Sequence, residues 1–194
     1  MLKALKRTGT LAVNEKQFET FMTDVGKAAA TVVRRVNPDI IIYPKSKSPL
    51  LKQFVDEIAK YTHAEILGDR FIKAVLDAED VEPLLNTKHP DWKKFSSEYP
   101  EDVQKLKKQL ITHVKRGELE LKKLYKPYVK FIQNFVELRD AYEVLDKVMG
   151  QKVLVIDDIL STGSTMAEMI RQLTDLEPFK IAGLTLLKHT ISPK

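Results

Sequence analysis

The chain has 194 residues, enough for one α/β domain with a sizeable core, and its 43% hydrophobic and 30% charged residues exclude general disorder. It has no cysteine, which excludes a disulfide framework, thiolate metal ligation and a cysteine nucleophile. That absence fits a reducing compartment, so cytoplasm is the expected location.

The formal charge is +5, and residues 88–130 hold twelve basic side chains against six acids, a local surplus of +6 that leaves the remainder at −1. Such a segment attracts anions, whether a phosphorylated substrate or nucleic acid, although most charge of this kind solvates helix faces. The start, Met1 to Arg7, is basic. No apolar stretch of roughly 7–15 residues follows it, so export is not expected. Apolar runs such as Ile40 to Tyr43 and Val153 to Ile156 fall far short of the roughly 20 residues that span a bilayer. No membrane contact is expected.

In chain order, Phe18, Phe21, Met22, Val25, Ala29, Val32, Val33 and Val36 recur at helical spacing and predict an amphipathic helix over 15–36, ended by Asn37-Pro38. Asp39 to Tyr43 is apolar without alternation, as in a strand covered on both faces. Pro44 to Pro49 reads as a loop. From Leu50, the residues Leu51, Phe54, Val55, Ile58 and Ala59 mark a second helix. Ala64 to Leu67 is the next strand, stopped by Gly68-Asp69.

Residues 82–148 change character and predict a mainly helical insertion or cap within a single domain spanning 1–194. Val103, Leu106, Leu110 and Val114 share one helix face, broken at Gly117. A second stripe runs through Leu121, Leu124, Tyr128, Ile132, Phe135, Leu138, Tyr142 and Leu145, with Pro127 placed to start or kink a helix. Alternation then resumes. Lys152 to Ile156 is a buried strand, Asp157 to Ser164 a loop, Met166 to Leu176 the inward face of a helix ended by Glu177-Pro178, and Ile181 to Leu187 a last strand. Strands and helices alternating on both sides of the insertion predict an α/β fold, a mostly parallel sheet flanked by helices.

The chemistry concentrates in Val153 to Thr165. Two adjacent acids, Asp157 and Asp158, stand where a buried strand ends, which is where α/β proteins place ligands. Ile159 and Leu160 follow, then the small, hydroxyl-rich turn Ser161, Thr162, Gly163, Ser164 and Thr165 leads into a helix N-terminus, where free N–H groups favour an anion. The acids would repel phosphate, so they suit ribose hydroxyls or a divalent cation. Acid pair and phosphate cradle together imply a sugar phosphate. The plainer alternative is a turn followed by a helix cap. Neither G-x-x-x-x-G-K-[ST] nor G-x-G-x-x-G occurs among the seven glycines, which removes support for a P-loop or dinucleotide reading.

Four apolar strand residues, two acids, two apolar residues and a hydroxyl-rich loop make Val153 to Thr165 resemble the 13-residue phosphoribosyl diphosphate signature of the type I phosphoribosyltransferases. The order of strands and helices over about 37–76 and 151–187 resembles that family's core, and the insertion does not. The resemblance implies that Asp157 and Asp158 hold the ribose hydroxyls and that Ser161 to Thr165 bind the 5-phosphate, with Ile159 and Leu160 between them counted among the substrate-binding residues. It also implies a pyrophosphate loop after the first core strand, here Lys45, Ser46, Lys47 and Ser48, whose lysines suit a diphosphate. The family often has glycine in that loop and this chain has none.

The implied reaction displaces pyrophosphate from the anomeric carbon by a nitrogenous base, with Mg2+ on the diphosphate. Asp157 and Asp158 would reach the metal through ribose hydroxyls or water, and no covalent nucleophile is needed. Relatives acting on 6-oxopurines commonly have aspartate where this chain has Ser161, which disfavours that route and leaves adenine, orotate and other acceptors open. The base-recognition hood falls to the N-terminal segment, the insertion, or Lys188-His189. Arg70, Lys73, His89 and Trp92 are candidates to line a lid. A basic helical hairpin is also open to a homodimer contact or to RNA. A second reading is therefore a regulator that senses phosphoribosyl diphosphate or nucleotides and binds nucleic acid.

Overall fold

Helix α1, Glu15–Val36, begins at Asn14, whose side chain accepts the Lys16 N–H at 3.0 Å, and it carries Glu15 in its first turn and Arg34 and Arg35 in its last. These charges complement the helix dipole. It stops at Asn37, which turns left-handed (φ 47°) and donates its N–H to the Val33 carbonyl at 2.7 Å. The boundaries match the expectation because both caps are local.

The computed structural model describes residues 14–46, 49–74, 81–115, 119, 124–160 and 163–188. They divide into two compact units, Met1–Ile72 with Leu138–Lys194, and Lys73–Glu137. In the first unit, β1 (Ile40–Pro44), α2 (Pro49–Ala59) and β2 (Glu65–Lys73) follow α1. The chain continues with β3 (Val136–Leu138), which spans the boundary at Glu137, and then α5 (Ala141–Val148), β4 (Lys152–Leu160), α6 (Ser164–Thr174) and β5 (Lys180–Lys188).

The five strands form one sheet in the order β3-β2-β1-β4-β5. The pairs β1/β2, β1/β4 and β4/β5 are parallel. Val153 to Ile156 of β4 are fully buried, as a central strand with both faces covered requires. One core cluster joins Phe18, Met22 and Val33 of α1 to Leu50, Phe54 and Ile58 of α2 and to Ile41, Leu154 and Ile156 of the sheet. Helix α6 packs on β4 and β5, burying Met166, Met169 and Leu173.

Three expectations are corrected. The strand at Ala64 to Leu67 does not stop at Gly68-Asp69 but runs to Lys73. Ile42 pairs with Leu67 and Pro44 with Phe71, so β2 absorbs two extra residues as a bulge, with Asp69 left-handed at φ 57°. Gly68 is required there, because a Cβ would lie 2.6 Å from Tyr43 Cζ. Gly68→Ala is accordingly expected to destabilise by about 1–3 kcal/mol in thermal unfolding. An unchanged melting temperature would mean that the Tyr43 ring moves aside freely.

Second, the loop expected from Asp157 is strand as far as Leu160, because β5 pairs alongside it from Ile156↔Leu184 to Leu160↔Lys188. The helix after it ends at Thr174, ahead of Glu177-Pro178.

Third, the stripe from Leu121 to Leu145 is not continuous helix. It passes through a 3-10 turn at Lys126–Phe131, then β3, then α5. Pro127 lacks a donor N–H, and Asn134 (φ 55°) and Asp140 (φ 53°) adopt left-handed backbone that ends any helix. Leu124, Tyr128, Ile132 and Phe135 are nonetheless buried, whereas Tyr142 is 88% exposed and α5 buries Val144 and Val148 instead. Leu121 and Gly117 lie outside the described residues.

The second unit contains a 3-10 turn at Glu82–Leu84, α3 (Trp92–Glu98), α4 (Pro100–Val114) and the 3-10 turn at Lys126–Phe131. Leu106, Leu110 and Val114 of α4 are buried as expected. Phe131 is its aromatic centre, with ring centroids 4.6 Å from Phe95, 5.4 Å from Trp92 and 5.2 Å from His89. Among the described residues no helix is long and apolar enough to cross a membrane.

Candidate functional site

The chain leaves β1 through α2 to reach β2 on one side of the sheet, and leaves β4 through α6 to reach β5 on the other. Neighbouring parallel strands whose connections diverge open a crevice at their C-terminal ends, the usual ligand position in open α/β sheets. The β1/β4 register runs from Ile40↔Val153 to Ile42↔Val155. Two residues beyond it the chains reach Pro44 and Asp157. Lys45 and Asp157, 112 residues apart in sequence, are thereby brought to the same end of the sheet.

On the β4 side Asp157 is half-buried and Asp158 only 7% exposed. The Asp158 N–H donates to Asp157 Oδ1 at 2.8 Å. Successive strand residues face opposite sides of a sheet, so the two carboxylates have different surroundings. Ile159 is half-buried, and Leu160 is the last residue of the strand. Ser161 and Thr162 lie outside the described residues. Gly163 has φ 79°, a left-handed conformation suited to glycine, and caps α6, where the Ala167 N–H reaches its carbonyl at 2.8 Å. Ser164 and Thr165 form the first turn of α6, whose leading N–H groups have no partner within the helix.

Sequence reasoning missed what holds α6 in place. Glu168 is 5% exposed and accepts from Arg171 Nε at 3.0 Å, Arg171 Nη2 at 2.7 Å and Gln172 Nε2 at 3.0 Å. Its hydrogen bond raises the Arg171 pKa, against a smaller opposing effect of burial. Gln172 Oε1 in turn accepts the Leu138 N–H at 3.1 Å. The i, i+3 spacing of Glu168 and Arg171 was the available signal.

On the β1 side Lys45 and Ser46 are exposed, and the Lys45 N–H is tied to the Phe71 carbonyl at 2.7 Å. Lys47 and Ser48 lie outside the described residues. A cavity of about 300 Å3 adjoins this loop, with Tyr43, Ser46, Lys52 and Asp69 in its lining. Burial first, then the charges of Asp69 and Asp56, push the Tyr43 hydroxyl pKa above its ordinary value. Only the β2 bulge brings Asp69 here, and no local pattern announces it.

The remaining candidates separate between the units. Arg70 is engaged by Asp140 at 2.6 Å and Glu143 at 2.8 Å, both in the first unit. His89 and Trp92 pack on Phe131 in the second. Lys73 begins the second unit. His189 lies outside the described residues. Among the described residues no cluster of three or more His, Cys, Asp or Glu could by itself hold a metal ion.

The sequence profile of the phosphoribosyl transferase domain matches residues 95–193, just over half of the chain. No curated protein matches it in sequence. Among solved structures, the chain is similar to a hypoxanthine-guanine phosphoribosyltransferase from Bacillus anthracis at 12% identity and TM-score 0.43, covering 88% of this chain and 68% of that one. A hypoxanthine phosphoribosyltransferase from Staphylococcus aureus is 14% identical at TM-score 0.43, over 88% and 64% of the respective chains. For the Leishmania tarentolae HGPRT-ase in complex with GMP the identity is 11% and the TM-score 0.42, over 91% and 69%.

Proposed function

The chain belongs to the phosphoribosyl transferase domain family, and from that premise we propose that it transfers the 5-phosphoribosyl group of phosphoribosyl diphosphate to a nitrogenous base, releasing pyrophosphate. The observation that supports this reading is that Asp157 of β4 and the Lys45-Ser46 loop after β1 lie at the same end of the sheet, beside neighbouring strands whose connections diverge.

In this reading the first turn of α6 and the residues before it, Ser161 to Thr165, receive the 5-phosphate with N–H and hydroxyl donors. Asp157 and Asp158 accept from the ribose 2- and 3-hydroxyls and fix the sugar ring. Lys45 and Ser46, with Lys47 and Ser48, face the diphosphate. A ring nitrogen of the base attacks the anomeric carbon while the bond to the diphosphate oxygen breaks, and its electron pair leaves with pyrophosphate. The nitrogen loses its proton to solvent. Positive charge builds on the sugar, so positioning and the lysine charges on the departing group supply most of the rate.

A Mg2+ ion suits the donors present, because this metal is commonly bound through one or two carboxylates, water and substrate phosphates and needs no all-protein cage. Asp157 and Asp158 are the carboxylates that would reach it through ribose hydroxyls or water. When bound it would neutralise charge on the diphosphate.

The test is a panel of bases incubated with phosphoribosyl diphosphate and Mg2+, following pyrophosphate release. Release with one base supports the proposal and names the acceptor. Binding without release for every base would favour the second reading, a sensor of phosphoribosyl diphosphate, for which the +6 charge of residues 88–130 offers a nucleic-acid contact. Lys45→Ala is expected to weaken phosphoribosyl diphosphate by about ten- to a hundredfold and ribose 5-phosphate much less, because one charged contact is worth about 1.5–3 kcal/mol. Equal losses in calorimetry would remove Lys45 from the diphosphate subsite.

A further inference from the structure

The second unit holds a cleft that the reading above does not use. It opens between α3, α4 and the 3-10 turn at Lys126–Phe131 and has a volume of about 520 Å3. That lies within the range of small-molecule sites, roughly 300–1,000 Å3. Its walls are aromatic. Phe95 and Phe131 stack at 4.6 Å, and Phe95 also stacks on Tyr99 at 6.1 Å. Tyr125 meets Tyr128 edge-on at 4.8 Å. Tyr128 is buried, yet Tyr99 and Tyr125 remain 53% and 58% exposed.

The charge of the cleft is opposite to its surroundings. Residues 88–130 carry twelve basic groups and six acids, but three of those acids line the cleft, Asp91, Glu98 and Asp102, against two lysines, Lys94 and Lys130. A net −1 lining thus sits in a +6 segment. One end already holds an ammonium: Lys130 Nζ donates to Asp91 at 2.5 Å and lies 4.9 Å from the Phe131 ring centroid. That hydrogen bond holds the Asp91 pKa below its ordinary value. Asp102 meets Lys105 at 3.2 Å, and burial first, then the neighbouring Asp102, push the Tyr128 hydroxyl pKa above its ordinary value. Glu98 has no ion-pair partner among the described residues.

We propose that this cleft binds a small organic cation of the alkylammonium class, with its charge toward Glu98 and Asp102 and its methyl or methylene surface on the rings of Tyr99 and Tyr125. The faces of these rings attract a cation and its apolar surface together, and the carboxylates select its sign. The Lys130 ammonium between a carboxylate and a ring is the same arrangement built from the chain's own parts.

The chain's single tryptophan, Trp92, is a reporter, since its ring lies 5.9 Å from Phe95 and 5.4 Å from Phe131. The full chain is titrated with choline, with 3,3-dimethylbutan-1-ol as the uncharged molecule of like shape, and with benzoate as an anion, by Trp92 fluorescence and calorimetry. Choline should bind saturably and the alcohol about tenfold more weakly, with no saturation by benzoate. Tyr99→Leu with Tyr125→Leu, which keeps apolar area and removes the ring faces, should weaken choline about tenfold. Glu98→Gln with Asp102→Asn removes both carboxylate charges at nearly constant shape and should bring choline close to the alcohol. Equal binding of choline and alcohol, or choline binding unchanged in both variants, overturns the proposal. None of these readings depends on phosphoribosyl transfer.

Discussion

Replacing Asp157 and Asp158 together by Asn is expected to lower phosphoribosyl diphosphate affinity by about a hundredfold or more while the fold persists. Each carboxylate accepting from a ribose hydroxyl is a charge-assisted hydrogen bond worth about 1.5–3 kcal/mol, and two such losses combine to that magnitude. Asn keeps the shape and leaves an oxygen in place of Asp157 Oδ1, so the 2.8 Å bond from the Asp158 N–H can survive. The single variants should differ. Asp157 is half-buried and Asp158 is 7% exposed, so Asp157→Asn is expected to act mainly on binding and Asp158→Asn on both binding and melting temperature. Unchanged affinity of the double variant in calorimetry would remove the acid pair from the ribose subsite.

Phe54→Ala should have the largest effect on stability. The ring is 1% exposed in the cluster that joins α1 and α2 to Ile41, Leu154 and Ile156. Removing it loses its transfer energy and leaves a cavity between two helices and the sheet, at a cost of about 3–5 kcal/mol. Domain stabilities are about 5–15 kcal/mol, so this is a large fraction of the total, and a melting temperature roughly 10 °C lower is expected. A shift of only a degree or two would mean that α1 and α2 close over the gap. Binding of phosphoribosyl diphosphate below the melting range should change little, because Phe54 lies in the core and not in either loop.

Much of the architecture could be read from the chain because it is locally encoded. Helix α1 has its cap at Asn14, its stop at Asn37 and its apolar face within 22 contiguous residues. Unbroken apolar runs at Ile40 and Val153 announced strands covered on both faces. Beside Val153, the acid pair and the hydroxyl-rich segment after it marked the candidate site, since their types and order are those a sugar phosphate would call for.

Three features were decided by residues distant in sequence. The continuation of β4 through Asp157 to Leu160 depends on β5 lying alongside, and a strand's own residues do not say how long its partner is. The bulge that places Asp69 beside Tyr43 depends on a mismatch between β1 and β2, with Gly68 making room for the tyrosine ring. The breaks in the stripe after Leu124 arise at left-handed Asn134 and Asp140, residues that also occur in ordinary helices.

By itself, then, the sequence determined the alternation of strands and helices and the place of the acid pair at the end of a buried strand, because helix caps and hydrophobic period act over a few residues. Tertiary structure decided that Lys45 and Asp157 lie at the same end of the sheet, that Asp158 is buried while Asp157 is half-buried, and that Tyr99 and Tyr125 stand open over an acidic cleft. Those are matters of strand order and of which surfaces the packing covers, set by the burial of apolar area across the whole unit and invisible to any local pattern.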